Sequence, residues 1–211
     1  MYTYKEMILP QSKYNLKCPY EMTPKFIVVH NTANDASAES EVRYMQGNNN
    51  ATSFHYAVDD KYVVKAIPEN RNAFHAGDGT GGKGNRNGLS IEICYSLSGG
   101  PRFNEAEENA AAFIADILKL YGWNISRVKK HQDFSNKYCP HRTLDLGWDR
   151  FLNMVKAHMK PKALITAEEI TMELNASHFE ITDFDGFKTA LEKARAKNSP
   201  LYWGYYKLVN K

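Results

Sequence analysis

Two short apolar runs constrain the fold of this chain more than any other feature. KFIVVH (25–30) and LSIEICYSL (89–97) are rich in β-branched residues. Runs of this length and composition, bounded by polar segments, read as buried central strands. Each holds one residue foreign to a core. His30 closes the first run, and Glu92 stands between Ile91 and Ile93 in the second. Strand alternation puts Leu89, Ile91 and Ile93 on one face and Ser90, Glu92 and Cys94 on the other. A carboxylate in a central strand is costly to bury without a partner. Either that face opens into a polar pocket or it is solvated and Glu92 is an ordinary surface residue.

The intervening segments supply helices and turns. Asp35 or Ser37 can cap a helix whose inner face holds Val42 and Met45 and which Gly47 ends. TSFHYAV and KYVVKAIP flank Asp59-Asp60, which predicts a β-hairpin. Residues 76–88, AGDGTGGKGNRNG, hold six glycines among thirteen positions and predict a surface loop. A strand rather than a helix follows this loop, so it does not fit a phosphate-cradling turn. Asn104 is the expected cap of a long helix carrying Ala110, Phe113, Ile114, Ile117, Leu118 and Tyr121 in one apolar stripe, and Gly122 stops it. A third helix over about 145–159 repeats the pattern with Trp148, Phe151, Leu152, Val155 and Met159. The order strand–helix–hairpin–strand–helix–helix predicts an α/β domain, a central mixed β-sheet flanked by helices.

HMKPKA (158–163) reads as a linker, which divides the chain into a domain over 1–160 and a small α+β domain over 161–211. The second part predicts helices near 167–175 and 184–197, a short HFEI strand and an aromatic strand, LYWGYYKLV. So small a piece has a thin core and is expected to pack on a partner or on a second copy of itself. Tyr202, Trp203, Tyr205 and Tyr206 suit stacking on sugars, and equally suit the inner face of a small sheet.

Composition excludes several classes. Hydrophobic residues make up 43% of the 211 residues, enough for a packed core, and the net charge is only +3. No basic run with interleaved aromatics points to nucleic acid. Cys18, Cys94 and Cys139 are too few, and odd in number, for a disulfide framework. The N-terminus MYTYKEMILP lacks the pattern of a secretory signal, and no apolar stretch approaches the roughly 20 residues of a membrane span. The expectation is synthesis in the cytoplasm, with no membrane insertion.

His30, His131 and Cys139 offer two imidazoles and a thiolate, the ligand set of a catalytic zinc with one position open for water. The eight-residue gap from His131 to Cys139 suits neither a helical pair nor a zinc knuckle, so the loop must fold back if both are to reach one ion. On spacing alone the signal is weak, and Cys139 also reads as a small buried residue. A zinc ion with three protein ligands lowers the pKa of its water to roughly 7. Amide hydrolysis then needs a proton shuttle and a cation for the developing oxyanion, for which Glu92 and Lys137 are the candidates. The alternative for Lys137 is a solvated lysine.

HNTA after FIVVH, then SFHYAV, FHAGDGTGG, N-x-L-S-I-E-I-C, a long helix and HQDFSNKYCPHRTL resemble, in this order, the zinc-dependent N-acetylmuramoyl-L-alanine amidases of type 2. That family includes phage endolysins, bacterial autolysins and peptidoglycan recognition proteins. The resemblance covers about residues 20–160. It implies zinc on His30, His131 and Cys139, Glu92 as general base and Lys137 as oxyanion stabiliser. It implies cleavage of the amide between the lactyl group of N-acetylmuramic acid and L-alanine in bacterial peptidoglycan. The ending K-x-C-P-H-R is most similar to the phage endolysin branch, whose members act on the cell wall after release. A bacterial autolysin and a non-catalytic peptidoglycan-binding module are the alternatives, and retention of Cys139 favours an enzyme. Three positions depart from the family pattern: Phe54 replaces a tyrosine, Phe74 a tryptophan and His141 a glycine. Phe54 cannot donate a hydrogen bond, which leaves the base role to Glu92. Phe74, His75 and His141 are expected to contact substrate, with a supporting role as the other reading of His75 and a turn-capping role as that of His141. His55 is expected to be structural, and Cys18 and Cys94 to be core residues.

Overall fold

The computed structural model describes residues 2–159. In chain order its elements are β1 (Thr3–Glu6), α1 (Tyr14–Lys17), β2 (Phe26–Asn31), α2 (Ala38–Gly47), β3 (Tyr56–Val58), β4 (Tyr62–Lys65), α3 (Lys83–Asn87), β5 (Gly88–Ile93), α4 (Gly100–Leu120), β6 (Val128–Lys130), α5 (His141–Leu146) and α6 (Trp148–Met159). The strands form one six-stranded sheet in the order β1-β4-β3-β5-β2-β6. Only the β3–β4 hairpin is antiparallel, so the sheet is mixed, as expected. The two apolar runs are its centre: β2 and β5 pair in parallel, with His30 opposite Glu92. The calls on residues 161–211, including their helices, strands and aromatic cluster, lie outside the described residues.

Register fixes the faces. Glu92 is the ladder partner of both Ala57 and His30, and the three share one side of the sheet. Tyr56, Ile91 and Val29 share the other, where Tyr56 packs edge-on against Phe113 of α4. The α4 stripe Ala110, Phe113, Ile114, Ile117 and Leu118 is buried there, and α6 covers α4 with Phe151 and Val155. Helix α2 packs on β3 and β4 with Val42 and Met45 buried, and Ser37 is its cap, accepting from Ser40 N. Asp59 locks the hairpin by accepting from the backbone N–H groups of Lys61 and Tyr62 (2.8 and 2.7 Å) and reaches the start of α2 through Ala38 N (2.9 Å).

Four details differ from the sequence reading. Helix α4 starts at Gly100, with Pro101 in its first turn, so Asn104 lies inside it rather than at its cap. A proline is well placed there because its missing N–H would have had no partner. The second apolar run leaves the sheet after Ile93 and turns at Tyr95, whose φ is +59°. The glycine-rich loop contains the short helix α3, whose first turn donates to Asp78: Gly84 N to Oδ2 at 2.6 Å and Asn85 N to Oδ1 at 3.3 Å. The third helix is two, α5 and α6, separated at Gly147 with φ +107°.

Candidate metal centre

The site is built at the C-terminal ends of β2 and β5. Parallel strands direct their last side chains into a crevice there. His30 is the penultimate residue of β2, and Asn31 behind it does the joining. Asn31 Oδ1 accepts from Arg142 N (3.0 Å) and Thr143 N (3.1 Å) in the first turn of α5, while its Nδ2 donates to Thr143 Oγ1 (3.3 Å). These bonds satisfy helix-terminal N–H groups that have no intrahelical partner. They also hold the start of α5 beside the metal-ligand candidate. His131 follows β6 directly, in a single helical turn (His131–Asp133). The loop then folds back, because Gln132 N donates to the carbonyl of Cys139 at 3.0 Å. That one bond closes the eight-residue gap that spacing alone could not.

The result is a compact donor set. One ligand atom from each of His30, His131 and Cys139 lies within 4.8 Å of the others, and all three residues are buried. Cys139 Sγ is 3.9 Å from His30 Nδ1, and the two imidazole rings are 4.7 Å apart. Burial holds the His30 imidazole well below its ordinary pKa and pushes that of His131 down to about 4, the positive charge of Lys137 adding to both. The imidazoles are therefore neutral at pH 7, the form that ligates metal. His131 Nδ1 is buried and has no hydrogen-bond partner. A buried polar atom left unpaired costs about 1–3 kcal/mol. A metal ion would satisfy it. Burial also pushes the Cys139 thiol up to about 11, and a coordinated metal reverses this by taking the thiolate. The donor set thus fits a zinc-type ion.

Glu92 Oε1 lies 3.9 Å from His30 Nδ1, with its side chain 17% exposed. Burial pushes its carboxyl up to about 8, Glu41 of α2 adds to the rise, and Lys137 opposes it. Lys137 itself is exposed, in the loop before Cys139, and its charge is felt by His30, His131, Glu92 and Cys139. The structure therefore brings the three ligand candidates, Glu92 and Lys137 to one place. His75 is also there, but behind the ligands: it is buried, with Nδ1 3.0 Å from His30 Nε2. Phe74 is half-buried, and its backbone exchanges hydrogen bonds with Ser53, donating to Oγ at 2.9 Å and accepting from N at 3.0 Å. His141 opens α5 half-buried, with Nε2 3.3 Å from the carbonyl of Ser96, which also takes Arg142 Nε at 2.5 Å. Its polar contact runs to the 94–99 turn, not to the ligand cluster.

His55 precedes β3 and is fully buried between two backbone groups, with Nδ1 3.0 Å from Ser90 N and Nε2 2.9 Å from the carbonyl of Arg71. Cys18 and Cys94 are buried free thiols. Sequence reasoning missed Asn31 and Asn85, both buried and both hydrogen-bonded to the backbone around the site. The signal for Asn31 was a polar amide directly after a histidine at a strand end, whereas Asn85 stands inside the glycine-rich G-N-R-N-G with no such mark.

The family described as N-acetylmuramoyl-L-alanine amidase (Amidase_2) matches residues 20–142. The chain belongs to this family. All three ligand candidates, Glu92 and Lys137 fall within the matched span of this amidase-family chain. It is 47% identical over 182 residues to the N-acetylmuramoyl-L-alanine amidase XlyB of Bacillus subtilis (strain 168), covering 86% of this chain and 57% of that protein. It is 54% identical over 154 residues to CwlA, an N-acetylmuramoyl-L-alanine amidase of the same organism, covering 72% and 57%. The chain thus spans little more than half the length of these two relatives. Among solved structures it is similar to that of PlyL, with 50% identity and a TM-score of 0.71 over 74% of this chain and 98% of that one. The likeness confirms a central mixed sheet flanked by helices.

Proposed function

We propose that this chain hydrolyses the amide between the lactyl group of N-acetylmuramic acid and L-alanine in bacterial peptidoglycan. The observation that carries the reading is the buried set His30, His131 and Cys139, with Glu92 3.9 Å from His30 Nδ1. Zinc is the ion proposed for it. Held there, zinc would supply a water acidified to a pKa of roughly 7 and a Lewis acid for the scissile carbonyl. With the charge of a bound metal opposing the rise that burial gives its carboxyl, Glu92 takes the proton of the attacking water and returns it to the leaving nitrogen as the C–N bond breaks. Lys137, exposed in the loop before Cys139, offsets the negative charge that builds on the carbonyl oxygen. The products are a free lactyl carboxylate and a peptide with an L-alanine amino terminus. Phe74 and His141 are the proposed substrate contacts. In the same reading residues 161–211 form a separate unit that holds the wall or a second copy of the chain.

Both curated relatives named above are Bacillus proteins, which supports a bacterial autolysin over a phage endolysin. The presence of Cys139 in the donor cluster speaks for an enzyme against a module that only binds peptidoglycan. The test is incubation with purified cell walls, counting new L-alanine amino termini. They should accumulate, stop with a chelator and resume with added zinc. Binding of walls without new amino termini would overturn the reading in favour of the module.

A further inference from the structure

We infer that His75 is a positioning residue: it accepts the Nε2 proton of His30 and so turns an unprotonated His30 Nδ1 toward the metal. The inference rests on the proposed metal site and deepens it. His30 Nε2 and His75 Nδ1 face each other at 3.0 Å, buried, with their rings at 87°. One proton serves this contact. If His75 Nδ1 holds it, neutral His30 must carry its own proton on Nδ1, the atom facing Cys139 Sγ and Glu92 Oε1. No lone pair is then left there for an ion. If His30 Nε2 holds it, Nδ1 is bare and His75 keeps its proton on Nε2. His75 Nε2 is buried with no hydrogen-bond partner among the described residues, so no donor there opposes a proton on it. A ligating histidine generally donates its other N–H to an acceptor that fixes tautomer and ring orientation.

The glycine-rich loop gains a purpose from this. His75 N and Ala76 N both donate to Asn85 Oδ1 (2.7 and 2.8 Å), and Asn85 Nδ2 donates to the carbonyl of Gly79 at 2.9 Å. Asp78 closes the turn by accepting from Gly84 N and Asn85 N. Two glycines let the chain come this close. A Cβ on Gly82 would lie 2.1 Å from Asp78 Cγ, and one on Gly84 would lie 2.4 Å from Ala76 Cβ. The loop is thus a cradle that seats His75 against His30.

The experiment compares zinc affinity, by chelator competition on the full chain, for wild type, His75→Phe and His75→Gln. Phenylalanine keeps the volume and removes the acceptor, whereas the glutamine carbonyl can restore it. Zinc should bind about 10–100-fold more weakly to His75→Phe, and His75→Gln should recover most of the loss. The visible spectrum of the cobalt-loaded protein should move in the phenylalanine variant and return in the glutamine one. Circular dichroism of the metal-free forms checks the fold. A folded His75→Phe that binds zinc like wild type overturns the inference. Should that variant not fold, nitrogen-15 spectra of the wild-type histidines decide: a proton on His30 Nε2 in the metal-free protein supports it, and one on Nδ1 overturns it. A wild type that binds no equivalent of zinc would instead sink the metal-site reading itself.

Discussion

Glu92 and His30 are direct ladder partners on the two central strands, and their side chains meet 3.9 Å apart on one face of the sheet. In the proposed reading, the distance from proton shuttle to metal ligand is therefore set by strand pairing. Replacing Glu92 with glutamine keeps the volume and removes the base. Turnover should fall by about 10²–10⁴, while the protein still binds one equivalent of zinc. Counting new L-alanine amino termini beside elemental analysis checks both halves. Near-normal cleavage would remove Glu92 from the mechanism.

Lys137 is exposed. Lys137→Ala should therefore leave stability within about 0.5 kcal/mol of wild type. Loss of an oxyanion stabiliser should lower kcat by about 10²–10³ with little change in KM. Unfolding curves and steady-state kinetics on soluble muropeptides separate these effects. A rise in KM at constant kcat would reassign Lys137 to ground-state binding.

Cys139 Sγ completes the donor set 3.9 Å from His30 Nδ1. Cys139→Ser keeps the shape of the residue but offers zinc a harder, far less acidic ligand. Zinc should be lost on dialysis from the variant and kept by wild type. Equal metal content after dialysis would count against this ligand.

His55 gives the fold an acid limit. Ser90 N donates into its Nδ1, so the ring proton sits on Nε2, facing the carbonyl of Arg71. Burial pushes its pKa from 6.5 down to about 4. The unfolded chain thus takes up a proton that the folded one refuses. The stabilisation from neutral His55 is full above pH 6.5 and is lost as pH falls from 6.5 toward 4. Between pH 7 and 5 this group removes about 2 kcal/mol. Urea unfolding of wild type and His55→Asn at both pH values tests it. The variant should show a smaller drop, and an equal drop would move the acid limit to another group.

How far the sequence carries depends on what each residue answers to. β2 and β5 were legible because their side chains are buried by the sheet itself, so composition reports burial directly. β1 and β6 were not, because TYKE and VKK are edge strands whose backbone pairing leaves polar side chains outside. The donor set was legible as residue types, which the structure brings together. Its closure was not, since Gln132 N to Cys139 O is a backbone bond that any residue could make. His75 was expected at the substrate or in support of the site. The structure sets it against His30 Nε2, a relation between residues far apart in the chain that no local pattern encodes. Asn104 was misread because it caps well in isolation, whereas Pro101 had already begun the helix a turn earlier.

The Asn31 tie to α5 bears on how the proposed metal would be held. Where zinc replaces a missing core, the apo chain is unfolded and the ion is a rivet. Here the sheet, its helices and the hydrogen bonds through Asn31 and Gln132 tie the elements around the donor set to one another. In the proposed reading a bound ion would be a tool gripped by a finished hand. Withdrawing it or exchanging it for another should leave the fold intact.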